Sequence, residues 1–177
     1  VVAGTILGKS LKSRITGVDF MKNLCEKVSK KPITVGFLGG KGDVALRTAE
    51  CLEREFWGLD VRLAEAGNPD EKTAKEIRDY RLKLKDTRGI DILFVGYGFP
   101  KQEQWIHDHL SELPVRVAMT VGGAFDTVSG SLPRAPQLMR SVGLEWLWRL
   151  FLQPSRWKRQ LKLLTFMYLV MRERFKI

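Results

Sequence analysis

Four short apolar runs rich in β-branched residues recur along the chain: ITVGFLG at 33–39, LDVRLAE at 59–65, DILFVGYG at 91–98 and VRVAMTVGG at 115–123. Runs of this length and composition predict strands. Between them, over 42–57, 70–86 and 100–110, and ahead of the first over 18–30, apolar residues return every three to four positions, which predicts helices. Strands alternating with helices call for a mostly parallel sheet with helices covering both faces, a Rossmann-like α/β architecture. Ser, Gly and Pro cluster in SGSLPRAP at 129–136. That cluster divides the chain into an α/β domain over 1–130 and a helical appendage over 131–177.

The appendage has a pattern of its own. Trp157, Leu161, Leu164, Tyr168, Met171 and Phe175 are spaced four, three, four, three and four apart, one stripe of a helix, and Leu163, Phe166, Met167 and Val170 widen it. Charge sharpens the picture. From Ser131 onward ten Lys and Arg stand against two acids, so +8 of the net +10 belongs to this segment. A wide apolar face with basic residues at both ends fits a helix lying in an anionic membrane surface, each Lys or Arg there contributing ~1 kcal/mol. Packing of the helix on the body or on another subunit is the alternative, which leaves a homo-oligomer open.

Composition adds limits. A chain of 177 residues, 44% of them hydrophobic, can bury one substantial core. No apolar run approaches the ~20 residues a membrane-spanning helix needs. The opening VVAGTILGKS has no basic region ahead of an apolar one, so the chain reads as neither secreted nor membrane-spanning, and it opens as if in mid-helix, as a piece of a longer protein would. Cys25 and Cys51 lack metal-ligand spacing and read as packing residues. His107 and His109, two apart on a helix, face different ways and cannot chelate together; they read as solvated.

Each strand runs into a glycine loop: Gly39-Gly40, Gly67-Asn68, Gly98 and Gly122-Gly123. Open α/β sheets bind ligands at that edge, outside the carboxyl ends of their strands. Gly40 to Ala45 formally matches G-x-G-x-x-A, and Glu65 ends the next strand where it could accept a ribose hydroxyl, so an NAD-dependent oxidoreductase is one alternative. The Walker pattern fails, because Lys41 is followed by Gly42. In GYGFPKQEQWIHDH, Pro100 suits a first helical turn, and Lys101, Gln102 and Glu103 would project from the helix start, Lys toward a phosphate and Gln toward a sugar or phosphoryl oxygen. Asp126 follows the fourth loop, placed either to accept hydrogen bonds from a base or sugar or to cap a turn. The basic, aromatic-interleaved tail raises a nucleic-acid-binding module as a second alternative; against it, the tail is more apolar than base stacking needs, and no nucleic-acid partner is expected.

Taken together and in this order, GYGFPKQEQWI, VGGAFDTVSGSLPRAP and GLEWLWRLFLQPSRWKR, with SLKSRITGVDF upstream, resemble the WecG/TagA/CpsF family of bacterial glycosyltransferases. The resemblance implies inverting transfer of N-acetylmannosamine, its uronate or a related hexose from a UDP-sugar to an undecaprenyl-diphosphate-linked acceptor, on the cytoplasmic face of the membrane and without a metal or other cofactor. It implies catalytic roles for Arg14 and Gln102 and for Arg149, Arg156 and Arg159, which would close over the diphosphate. Gly39, Gly40, Gly67, Asn68, Gly98, Lys101, Gln102, Gly122, Gly123 and Asp126 would bind the donor. Family members carry an aromatic residue after the glycine that ends the second of these strands, where this chain has Asn68-Pro69. The family's proposed base, an aspartate in an Asp-Gly motif, would lie upstream of Val1, so this polypeptide is expected to lack it and to be inactive alone.

Overall fold

The computed structural model describes residues 4, 6–8, 15–83, 89–141, 143–154 and 157–175. It divides into two compact units, Thr16–Leu132, and Val1–Ile15 with Pro133–Ile177. The first unit runs α1 (Gly17–Val28), β1 (Thr34–Gly39), α2 (Val44–Glu55), β2 (Asp60–Glu65), α3 (Glu71–Lys83), β3 (Ile90–Gly96), α4 (Lys101–His109), β4 (Val115–Thr120) and α5 (Ala124–Val128). All four expected strands form, with β3 and β4 ending before their glycine loops.

The sheet is parallel throughout, in the order β2-β1-β3-β4. β1, between β2 and β3, is buried at all six positions, which explains why it reads as a continuous apolar run instead of an alternating one. Alternation within the strands sorts side chains to two cores. Val35, Phe37 and Phe94 pack with α1, α2 and α5 through Met21, Cys25, Ala49, Leu52 and Phe125. Leu38, Leu93 and Val95 pack with α3 and α4 through Ala74, Ile77 and Trp105. Phe37 anchors the first core, stacked on Phe94 at 5.5 Å and edge-on to Phe125 at 5.8 Å between ring centroids. Burial there pushes the Cys25 thiol up to about 12, so it is an inert packing group.

At the amino edge of the sheet, β1 and β3 are tied by a side chain. Asp91 Oδ2 accepts from the Thr34 amide at 2.9 Å and its hydroxyl at 3.1 Å, and Arg116 donates to the other carboxylate oxygen at 3.0 Å. The Thr34 amide, followed by Arg116, holds the Asp91 carboxyl below the usual range.

The second unit contains α6 (Gln137–Ser141), α7 (Glu145–Leu152) and α8 (Trp157–Phe175). The apolar, basic ending is thus two helices. α7 closes on Gln153, whose amide bonds the Arg149 carbonyl at 2.9 Å, and Pro154 follows, where a continuing helix would need an N–H that proline lacks. Trp148 anchors the unit's entry by donating its indole N–H to the Pro133 carbonyl at 3.1 Å. Among the described residues no helix is long and apolar enough to cross a membrane.

Candidate functional site

A chain that leaves β1 for β2 on one side and returns to β3 on the other opens a crevice between the carboxyl ends of β1 and β3. Its floor is made of glycine. Gly39 pairs with Gly96, and the Gly40 amide reaches the Gly96 carbonyl at 3.3 Å. A Cβ on Gly39, whose φ is +116°, would lie 2.7 Å from the Gly96 carbonyl carbon, and one on Gly96 would lie 2.8 Å from the Phe125 ring. Side chains at Gly39 and Gly96 are therefore excluded by the close approach of the two strand ends and by the Phe125 ring.

The adjoining loops are joined by Gln102. This residue, 5% exposed on the first turn of α4, accepts through Oε1 from the Gly98 amide at 3.0 Å and the Gly122 amide at 3.2 Å. Its Nε2 donates to the Glu103 carboxylate at 2.8 Å. Of the three residues expected to project from this helix start, only Lys101 and Glu103 are exposed, and Gln102 is turned inward. The Gly98 and Gly122 amides are thereby engaged by protein, while the Cβ position of Gly122 faces open space. The peptide between Phe99 and Pro100 in the same loop is cis.

Gly67 is closely packed. A Cβ there, at φ +53°, would lie 2.8 Å from both the Thr73 methyl and the Tyr97 hydroxyl. Asn68 is held through its amide, which donates to Thr73 Oγ1 at 2.9 Å. Tyr97 is the residue that the glycine-centred reading missed, although it sits inside the GYGFP loop. Its ring meets Trp105 edge-on at 5.7 Å and burial pushes its phenol up, so it backs the loop wall in neutral form. Trp105 in turn donates to the Asp70 carbonyl at 3.0 Å, tying the β2–α3 and β3–α4 loops together. His109 departs from the solvated state expected of it. One turn after Trp105, its ring lies 5.3 Å from the indole and Nδ1 lies 3.4 Å from Glu71, which also pairs with Arg78.

Lys41 in the β1–α2 loop and Lys101 at the start of α4 are exposed at the ligand edge, and Gly123 is the N-cap of α5. Asp126 stands in the first turn of that helix, half-buried, and its carbonyl accepts from the Leu132 amide at 2.8 Å. Arg149, in the other unit, lies 3.9 Å from Glu145, one turn back on α7 and buried. Arg14 and Arg156 lie outside the described residues, as does the side chain of Arg159. Among the described residues no group of three or more His, Cys, Asp or Glu is placed to hold a metal ion.

A parallel sheet with its switch point between β1 and β3 belongs to the doubly wound α/β class, whose members bind ligands at that edge. Comparison with known sequences carries this further: the glycosyl transferase WecG/TagA/CpsF family matches residues 1–177, and the chain belongs to that family. A relative from Bacillus spizizenii, named N-acetylglucosaminyldiphosphoundecaprenol N-acetyl-beta-D-mannosaminyltransferase, is 36% identical over 163 residues, 92% of this chain and 61% of the relative. A Bacillus subtilis protein of the same name is 32% identical over 175 residues, 98% of this chain and 65% of its own length. The chain thus spans less than two thirds of the length of these relatives. Membership of this family sets aside the dinucleotide reading of Gly40 to Ala45.

Proposed function

We propose that this chain carries the donor-binding domain and membrane-facing appendage of an inverting glycosyltransferase of bacterial cell-envelope polysaccharide synthesis. The enzyme would move N-acetylmannosamine, its uronate or a related hexose from a UDP-sugar to an undecaprenyl-diphosphate-linked acceptor, working from the cytoplasm on the inner membrane face. The observation that carries this reading is the match of the whole chain to the family, with two relatives whose names specify both an N-acetylmannosaminyl group and an N-acetylglucosaminyldiphosphoundecaprenol acceptor.

The chemistry is a single displacement. The acceptor hydroxyl forms the new C–O bond at the anomeric carbon as the bond to UDP breaks; its proton passes to a base, and the leaving diphosphate takes up negative charge. Gly39, Gly40, Gly67, Asn68, Gly98, Gly122 and Gly123 would wall the donor site with backbone, Lys101 would face the diphosphate, and Asp126 would accept from the nucleoside. Arg14, Arg149, Arg156 and Arg159 would supply the charge that stabilises departing UDP, with no metal called on. Exposure along α8 favours the appendage as the membrane-facing element: Trp157 is 53% exposed, Tyr168 65% and Phe175 61%. The test is mass spectrometry of products from a panel of UDP-sugars with an undecaprenyl-diphosphate-linked N-acetylglucosamine acceptor and the full-length protein. The expected product is the disaccharide lipid with release of UDP. Turnover with NAD(H) and no UDP release from any sugar would overturn the reading.

A further inference from the structure

Gln102 stands out because one buried side-chain oxygen receives the backbone amides of two different βα loops, Gly98 from the β3–α4 loop and Gly122 from the β4–α5 loop. Orientation of the amide follows from its partners. Only the oxygen can accept from two N–H groups, and only the nitrogen can donate to the Glu103 carboxylate. Both glycines have positive φ, +80° and +55°, so these turns keep little side-chain packing of their own to hold them. The neighbouring contacts lead to the same wall: Gly96 beside Gly98 has the Gly122 carbonyl 3.2 Å from its Cβ position, and Tyr97 is braced on Trp105.

We propose that Gln102 is a positioning residue, a brace that sets the separation of the β3 and β4 loops and so the width of the donor crevice, without itself touching the donor. This deepens the function proposed above and rests on it for the identity of the ligand, but the brace itself is a property of the free protein. Its oxygen replaces water for two buried-side amides that would otherwise be left to fluctuate, and Glu103 keeps the amide from turning over. Carrying the Gly98 and Gly122 amides on Gln102 also means that donor phosphate is held by other groups.

Hydrogen exchange followed by NMR on the full-length protein, together with calorimetric titration of UDP, tests the brace. In Gln102→Ala, exchange at Gly98 and Gly122 is expected to rise roughly 10-fold or more while core amides such as Phe94 are unchanged, and UDP affinity to fall about 10-fold, the scale of two hydrogen bonds of ordinary net strength. The exchanged pair Gln102→Glu with Glu103→Gln keeps an acceptor facing both amides and a donor facing it, and should restore both readouts; Gln102→Glu alone sets two carboxylates together and should not. Gln102→Met, close in shape, serves in place of alanine if that variant fails to fold. Loss of UDP binding with Gly98 and Gly122 exchange unchanged would overturn the proposal and make Gln102 a ligand contact. Wild-type protein that ignores UDP while exchange responds as described would instead sink the functional reading and leave the brace standing.

Discussion

Thr16–Leu132 and Pro133–Ile177 are both rich in large apolar side chains, yet they place them in opposite ways. In the sheet unit, Phe37, Leu38, Leu93 and Phe94 are fully buried between two helical layers. In the helical unit, Trp146, Phe151, Trp157, Leu161, Phe166, Tyr168, Met171 and Phe175 are all exposed, and Ala135 and Val170 are the buried apolar residues among those described. The buried apolar residues of the first unit stabilise its fold, whereas the large exposed ones that dominate the second are available for contact with something else.

Truncating the two sets should therefore have different consequences. Phe94→Ala removes a ring stacked on Phe37 at zero exposure and is expected to cost about 3–5 kcal/mol in urea unfolding. Tyr168→Ala should stay within about 0.5 kcal/mol of the parent, and an equal loss from both would break the comparison. The basic residues of α8 come next in size. Replacing Lys162, Arg172 and Arg174 together by Gln should weaken flotation with phosphatidylserine vesicles by on the order of 100-fold, at ~1 kcal/mol per charge, and leave thermal unfolding in place. Indifference to anionic vesicles combined with salt-sensitive nucleic-acid binding would return the tail to the nucleic-acid reading.

Within the sheet unit, Gly39→Ala should cost about 1–3 kcal/mol through its positive φ and the clash at Gly96, and should lower UDP affinity by more than that loss of folded protein explains. Calorimetry at a temperature where both proteins are folded separates the two effects. The smallest expected effect is one of pH. Because the folded-state pKa of Asp91 is depressed, its contribution is complete above the ordinary aspartate value of about 3.9 and is lost as pH falls toward the lower folded-state value. Asp91→Asn should thus lower stability at neutral pH and flatten the acid limb of a urea-midpoint titration, an acid limb that helical-unit variants leave untouched.

The elements that read most clearly were those in which local chemistry and tertiary burial agree. β1 is a continuous apolar run because both its faces are covered, and Gly39-Gly40 and Gly98 mark strand ends because the turn itself demands them. His109 was misread because its environment comes from Trp105 and from Glu71, the latter 38 positions away in sequence, and no local periodicity reports that contact. Gln102 in the GYGFPKQE motif read as projecting from the helix start, but its bond to the Gly122 amide, twenty residues on, turns it inward. That Tyr97 and Thr73 fill the space beside Gly67 is likewise not legible in the loop sequence, since Tyr97 lies on another strand end.

Periodicity, glycine placement and charge patterning were enough to determine a parallel α/β sheet with glycine turns at its strand ends and a basic, apolar tail, because these follow from interactions within a few residues or from the alternation of a strand. Tertiary structure alone decided which glycine amides are engaged, and that Trp157, Tyr168 and Phe175 are exposed while Val170 is buried. Those outcomes depend on groups brought together by the sheet or by helix packing. A helix with apolar residues on more than one side carries no local signal of which side its neighbours will cover.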